Sequence, residues 1–181
     1  MRKLIRIALS LVLAVALLVV FALPAGAANP TVSITVTAQV VSITNSEDTW
    51  AIGTVAADAV VYFSATGAQD DDYSQITNTG SVTVDVEIQG TNIEGGDYDW
   101  TLASAAGSEQ YSLYANKQAT PTVYDVEVKT SSYVDITAAG GLAADGTNDW
   151  SMKFTAPTAF NANDDGNQKT ATVTLVASLH S

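Results

Sequence analysis

The chain of 181 residues has no cysteine and one histidine, His180, next to its last residue. The absence of cysteine excludes disulfide bonds, thiolate metal ligands, thiol nucleophiles and lipid attachment to a cysteine. A histidine-dependent mechanism would depend on a residue at the chain end, where chains are usually frayed. No G-x-S-x-G motif supplies a nucleophilic serine. We therefore predict that the protein is not an enzyme, although its many carboxylates leave a glycosidase-type pair as an alternative.

Arginine is almost absent and occurs only at Arg2 and Arg6. Both precede an apolar run over residues 7–23, which is followed by the small residues Ala-Gly-Ala-Ala at 25–28. This order of basic, apolar and small residues is typical of a secretory signal. We expect residues 1–28 to be removed as a signal peptide and the protein to be extracellular or on the cell surface. The alternative is an uncleaved membrane anchor, for which an apolar run of about 17 residues is at the lower limit.

The net charge becomes strongly negative once the signal is removed. Four lysines and 19 acidic residues remain, which gives −15. Nucleic-acid binding needs clustered Lys and Arg that displace condensed counterions, so a nucleic-acid partner is excluded. Anionic membrane surfaces are disfavoured for the same reason, and no membrane association is expected after cleavage. The charge either keeps the protein soluble or serves to bind divalent cations.

Apolar and polar residues alternate along most of the remaining chain. The alternation is clearest over residues 31–40, 81–88, 122–128 and 169–179, with shorter apolar runs between them. Period-two alternation indicates half-buried strands. Strands at a spacing of about 8–12 residues, without helical periodicity, are typical of antiparallel sandwiches. We predict that residues 29–181 form a single all-β domain, an antiparallel β-sandwich of the immunoglobulin-like or jelly-roll kind.

Clusters of Asp and Asn are the candidate metal ligands. Calcium is the metal that hard oxygen ligands without His or Cys would suit. No cluster has the spacing of an EF-hand loop, and turns select Asp, Asn and Gly anyway, so ordinary acidic turns are the alternative. A further cluster lies at residues 94–99. The candidate calcium ligands are Asp70, Asp71, Asp72, Asp164, Asp165 and Asn167.

The three tryptophans, Trp50, Trp100 and Trp150, each follow a polar or acidic residue and precede an apolar residue two positions on. We expect them in the core or at its rim, where a buried indole N–H needs a hydrogen-bond partner. Together with seven tyrosines they are also candidates for a sugar-stacking surface. Packing alone favours aromatic residues in strands, which is the alternative.

The first predicted strand has a special position in the chain. Extended over residues 31–43, it spans about 40 Å, which is longer than a sandwich strand normally needs. Because it directly follows the predicted cleavage site, it is a candidate for donation to the sheet of a neighbouring subunit. The alternatives are that it spans both sheets of its own domain or pairs with the C-terminal strand.

Short motifs carry a resemblance to known families. Tyr62-Phe63-Ser64 follows an early predicted strand, and Asn78-Thr79-Gly80-Ser81 opens a β-rich stretch. With the signal sequence, this pattern resembles bacterial and archaeal surface-fibre proteins of the TasA and camelysin type, although the metalloprotease motif claimed for some camelysins is absent. Trp100-Thr101-Leu102 resembles one of the two tripeptides of WxL cell-wall-binding domains, whereas Trp150-Ser151-Met152 only approximates the second. The resemblance implies a surface or matrix component.

The sequence thus predicts a secreted, non-catalytic structural protein of the cell surface or extracellular matrix. Its expected partners are further copies of itself or other surface proteins, and strand donation would make it a filament subunit. The alternative prediction is a calcium-assisted carbohydrate- or cell-wall-binding module with a glycan partner.

Overall fold

The computed structural model describes residues 35–63, 73–116, 123–164 and 166–181. Residues Ala38–Ser181 form one compact unit, which contains all the strands, and the residues before Ala38 belong to a separate unit. The described residues contain no α-helix, and hence none long and apolar enough to cross a membrane. The prediction of an all-β fold is confirmed for the described residues.

Ten strands form two sheets in the described part of the chain. The strands are β1 (Ile43–Asn45), β2 (Val60–Tyr62), β3 (Ser74–Asn78), β4 (Val84–Gly90), β5 (Thr101–Leu102), β6 (Gln110–Asn116), β7 (Val126–Glu127), β8 (Val134–Asp135), β9 (Thr147–Thr155) and β10 (Val173–Leu179). The larger sheet has seven strands, ordered β1-β3-β9-β6-β5, with β2 also pairing with β9 and β7 with β6. The smaller sheet has the order β10-β4-β8. All strand pairs are antiparallel except β5 with β6.

Strand β9 is the centre of the larger sheet. Its first half pairs with β3 and its second half with β2, while β6 pairs along its other edge. Successive side chains of a strand point to opposite faces, so residues two apart share a face. Trp150, Met152 and Phe154 are accordingly all buried, at 5 % exposure or less. This strand therefore supplies a row of large side chains to the core.

Strand β4 shows most clearly how the sequence pattern produces the sheet. Val84, Val86 and Ile88 are almost fully buried, whereas Asp85 and Glu87 on the opposite face are half-buried. The alternation predicted for this region is confirmed. Apolar residues from both sheets form one hydrophobic core, whose removal from water is the main force that holds the sheets together.

Other predicted strands are shorter in the structure. The region 122–128 contributes only the two-residue strand β7 to the described fold, and the region 169–179 contributes β10 from Val173 onward. Residue 122 itself lies outside the described residues. The length of a strand depends on which neighbouring strands can form backbone hydrogen bonds with it. Alternation along the sequence does not contain this information.

The segment before β1 departs from the prediction. Residues 35–42 form no strand, and β1 begins only at Ile43; the predicted residues 31–34 lie outside the described part. Val36 is 83 % exposed and Val40 is 50 % exposed. The predicted strand is therefore wrong over residues 35–40. Alternation indicates what a strand buries when a partner strand is present, and this segment has no strand partner among the described residues.

Candidate functional site

An aromatic cavity of about 740 Å³ lies within the unit formed by Ala38–Ser181. All three tryptophans line it: Trp50 from the segment between β1 and β2, Trp100 just before β5, and Trp150 from β9. Binding sites are typically cavities of about 300–1,000 Å³ with apolar and aromatic walls. The cavity has the size and lining of such a site. Four further aromatic residues complete its walls: Phe63, Tyr111, Phe154 and Phe160.

Ring contacts fix the aromatic walls of the cavity. Trp50 meets Phe63 edge-on, with centroids 5.3 Å apart, and Phe63 stacks on Trp150 at 6.0 Å. Trp100 stacks on Phe160 at 5.1 Å. Such pairs add about 0.5–1.5 kcal/mol beyond the area they bury. Trp150 is 2 % exposed and the other two tryptophans pack partly buried against the core, which confirms their predicted place in the core or at its rim.

The indole N–H groups differ in how they are satisfied. Trp150 Nε1 donates a hydrogen bond to Asn45 Oδ1 at 2.9 Å, and Ser74 Oγ donates to the same oxygen at 2.7 Å. Trp100 Nε1 is buried, and no residue in the described ranges accepts a hydrogen bond from it. A buried donor without an acceptor costs about 1–3 kcal/mol. Within the described ranges, Trp100 Nε1 is therefore a buried donor of the cavity wall without an acceptor.

Strand β10 supplies part of the cavity wall through Val173 and Leu175. One edge of β10 pairs with β4 over all seven residues. Within the described residues, no strand pairs with its other edge. The other strands at the ends of the sheet orders, β1, β5 and β8, have only two or three residues. The longest open sheet edge in the described fold thus lies beside the aromatic cavity.

The sequence of β10, Val-Thr-Leu-Val-Ala-Ser-Leu, does not protect this edge. Natural proteins usually guard open edges with charged side chains, proline, bulges or a covering segment, because unpaired N–H and C=O groups recruit other strands. β10 has no charged residue and no proline, and Leu179 at its end is 52 % exposed. The edge is therefore suited to pairing with an added strand.

The segment before β1 is anchored at its C-terminal end. Ser81 N donates to Val40 O at 2.9 Å, Val40 N donates to Ser81 Oγ at 3.0 Å, and Thr79 N donates to Ser42 O at 3.0 Å. A Cβ atom at Gly80 would lie 2.2 Å from Val40 O, so only glycine permits this approach. Val40 and Ser42 are thus held against the residues that connect β3 to β4.

Two of the acidic clusters meet around Lys169. Its Nζ atom donates hydrogen bonds to Gly95 O at 2.7 Å and to Tyr98 O, and it lies 3.3 Å from Asp164 Oδ1. The two charged side chains are only 7 % and 6 % exposed. No hydrogen bond to Asp164 Oδ1 has regular geometry within the described ranges, so its contact with Lys169 is an ion pair. The ammonium also lies 5.7 Å from the centroid of the Trp100 ring.

The Lys169 ammonium is surrounded by oxygen atoms of the kind that calcium uses, two carbonyls and one carboxylate. A fixed cation is thus already present between these clusters. Among the described residues, no group of three or more His, Cys, Asp or Glu side chains is placed to hold a metal ion. Calcium binding stays a prediction. Of its candidate ligands, Asp164 contacts Lys169 and Asn167 lines the cavity, whereas Asp70, Asp71, Asp72 and Asp165 lie outside the described residues.

The C-terminal end is held in place rather than frayed. His180 Nδ1 lies 2.7 Å from Asp85 Oδ1, and His180 N donates to Thr83 O at 3.1 Å. Both contacts join the end of β10 to β4 and the residue before it. The histidine therefore has a structural role as a link between two strands.

Tyr111 is the titratable residue of the cavity wall whose pKa is changed most by its surroundings. It is 1 % exposed, and its hydroxyl donates a hydrogen bond to Thr91 O. Burial raises the pKa of Tyr111 well above its usual range. Because desolvation alone causes this shift, the residue has the properties of a core tyrosine and not those of an acid or base tuned by a neighbouring charge.

Neither protein-family models nor curated proteins match this chain.

Sequence reasoning identified the tryptophans but did not place them together. Their common cavity also includes Phe63, Tyr111 and Phe160, and no motif of the sequence indicates that these residues lie together. Tyr111 lies in β6 and Phe63 directly follows β2, whereas Phe160 lies in the segment between β9 and β10. The contacts arise from long-range strand pairing, which a local pattern does not specify.

Proposed function

We propose that the protein is a secreted, non-catalytic structural subunit of the cell surface or extracellular matrix that assembles by donating its N-terminal segment to a neighbouring copy. The observation that carries this proposal is the exposure of the segment before β1. Residues 35–42 have no strand partner within the described ranges, and Val36 and Val40 expose their side chains. An alternating segment with exposed apolar side chains is expected to bury them against a partner sheet.

The charge distribution is compatible with such assembly. The mature chain has a net charge of −15, so two copies repel each other at long range. No residue from Thr31 to Ser46 carries a charge. The donor therefore brings no ionised group of its own into the interface, where burying one would cost several kcal/mol. The repulsion opposes unspecific clustering and leaves the segment itself suited to an interface.

The fold proposed for the subunit is an antiparallel β-sandwich of the immunoglobulin-like or jelly-roll kind. Two sheets contribute to one hydrophobic core, which supports this arrangement. Secretion is proposed from the basic, apolar and small residues at the N-terminus.

Negative-stain electron microscopy and analytical ultracentrifugation of the chain that begins at Asn29 test the assembly. We expect filaments whose formation is abolished by Ile34→Asp with Val36→Asp, because both substitutions place charges on the apolar face of the donated strand. The matched control, Thr35→Asp with Thr37→Asp, adds the same charge to the opposite face and should still assemble. A chain that stays monodisperse at every protein and calcium concentration would contradict the proposal.

The second candidate function is calcium-assisted carbohydrate or cell-wall binding, and the aromatic cavity is the observation that favours it. Glu47 and Asp48 supply polar groups beside Trp50 in its lining. Glycan-array binding, with and without calcium, tests this function. Trp50→Ala should abolish retention, whereas Tyr133→Ala, at an exposed tyrosine outside the cavity lining, should not. A complete absence of retention on glycans and on isolated cell walls would exclude it.

A further inference from the structure

We infer that the aromatic cavity and the open edge of β10 together form the acceptor site for residues 31–39 of a second copy. This inference rests on the proposed function and adds the place at which the donated strand binds. Three features support it: a β10 edge without a strand partner in the described fold, an apolar cavity beside that edge, and an alternating segment whose described residues, 35–40, form no strand.

The main chain of β10 provides the first contact. A strand that lies beside its open edge would form a ladder of backbone hydrogen bonds along seven residues, about 23 Å at the usual rise per residue. Residues 31–39 span about 30 Å when extended. The donated segment is therefore long enough to cover the whole edge of β10.

The side chains provide the second contact. Strands paired in one sheet place alternate side chains on a common face. Val173 and Leu175 of β10 line the cavity, so the residues of an added strand that share their face would enter the same cavity. The hydroxyl residues of the donor would then lie on the outer face. The apolar residues of the donor that enter are Val32, Ile34, Val36 and Ala38, whereas Val40 stays bound to Ser81 of its own chain.

The charge of the lining disfavours an acidic occupant. Glu47, Asp48 and Asp164 line the cavity, and Lys169 already forms an ion pair with Asp164. The remaining carboxylates oppose an acidic segment by like-charge repulsion. Residues 31–39 carry no charge and alternate as a paired strand requires, so a second copy of this chain has the segment that fits.

Cysteine cross-linking tests the site directly, because the natural chain has no cysteine. One population of the chain that begins at Asn29 carries Thr35→Cys, and a second carries Thr174→Cys or Ser178→Cys. Thr174 and Ser178 are exposed in β10. After mixing and oxidation, we expect disulfides between the two populations, since facing residues of paired strands bring their Cβ atoms within disulfide distance. Ser33→Cys and Thr37→Cys sample the neighbouring registers, and Thr130→Cys, which is exposed outside β10, is the negative control.

Tryptophan fluorescence provides a second readout, because all three tryptophans line the cavity. The acceptor is the full chain from Asn29 with Ile34→Asp and Val36→Asp, and the probe is a synthetic peptide of residues 30–41. We expect a saturable blue shift as the peptide excludes water from the cavity. A peptide with Ile34→Asp and Val36→Asp should cause no shift, whereas one with Thr35→Asp and Thr37→Asp should retain it.

The possible results separate the acceptor site from the proposed function. Filaments whose cross-links never involve β10 would overturn the acceptor site and leave assembly intact. A third chain carries both Thr35→Cys and Thr174→Cys. A disulfide within this chain, together with none between the mixed populations, would overturn the acceptor site in favour of insertion into the same chain. A saturable peptide shift in a chain that never forms filaments would support the acceptor site and contradict the proposed function.

Discussion

The Lys169 ammonium has hydrogen-bond and ion-pair partners within the chain, whereas one edge of β10 has no strand partner in the described fold. Around Lys169 the ammonium has two carbonyl oxygens and one carboxylate within contact distance, and the charged side chains are buried. Along β10, seven residues have no strand partner on one edge within the described fold. The first region is complete within one chain, whereas the second has the features of a sheet that requires another strand.

In this acidic, cysteine-free chain, a buried lysine holds two loops together, whereas an uncharged strand forms an open sheet edge. One of the five lysines of the chain, Lys169, is buried at a loop closure. Without disulfides, such a contact is one way to hold the residues 94–99 against the residues 164–169. The β10 side instead has one edge without a strand partner in the described fold.

The largest expected effect is on the free energy of unfolding and concerns the buried ion pair of Lys169 with Asp164. Lys169→Met should lower the free energy of unfolding by about 3–5 kcal/mol, because it leaves the buried Asp164 carboxylate without its cation. Urea denaturation, monitored by circular dichroism, measures this loss in the free energy of unfolding. Lys129→Met is the matched control: Lys129 is 46 % exposed and 4.0 Å from Glu127, so its loss should cost about 1 kcal/mol or less. Equal stability of the two variants would show that the Lys169 ion pair does not hold the loops.

The next largest effect is expected for Ile76, a fully buried core residue, compared with Leu175, a residue of the cavity wall. Ile76→Ala should cost about 2–5 kcal/mol, because Ile76 is fully buried. Leu175→Ala should cost about half as much or less, since Leu175 is only partly buried and faces a cavity already present. Both are measured by urea denaturation of a chain with Ile34→Asp and Val36→Asp, which prevents assembly. Equal losses would mean that the cavity side is as tightly packed as the core.

A smaller decrease in the free energy of unfolding is expected at alkaline pH, and it comes from Tyr111 in the cavity wall. Because burial raises the pKa of Tyr111 above that of an unfolded tyrosine, about 10, the unfolded chain loses this proton first. The free energy of unfolding should therefore be constant through neutral pH and fall as the pH rises above about 10. Tyr111→Phe should remove this fall at a cost of about 1 kcal/mol at neutral pH, from the lost hydrogen bond to Thr91 O. Tyr133→Phe, at a tyrosine that is 42 % exposed, should leave the fall unchanged.

The smallest effect concerns the rate of assembly. Raising the ionic strength from about 0.01 M to 0.15 M shortens the Debye length from about 30 Å to about 8 Å. This screening should accelerate filament formation by a few-fold, because copies of charge −15 repel each other while the donated segment is uncharged. Light scattering measures the rate. Slower assembly at higher salt would indicate an interface held by ion pairs and would contradict an uncharged donor strand.

The strand content of this protein could be predicted from alternation where both neighbours of a strand are present. β4 is the clearest case, since its buried and half-buried residues follow the sequence pattern one by one. The same pattern failed over residues 35–40 because pairing, and not alternation, decides whether a segment forms a strand. The calcium candidates were chosen by composition, and the position of Lys169 between two acidic clusters had no signal in either cluster.

Composition and local alternation were thus sufficient for an acidic, all-β protein without disulfides, because these properties depend on residue type and nearest neighbours. The common cavity of Trp50, Trp100 and Trp150, the burial of Lys169 and the open edge of β10 all depend on contacts between residues far apart in the chain. Such contacts are selected by the packing of whole sheets around one core, and a short sequence window contains no record of them.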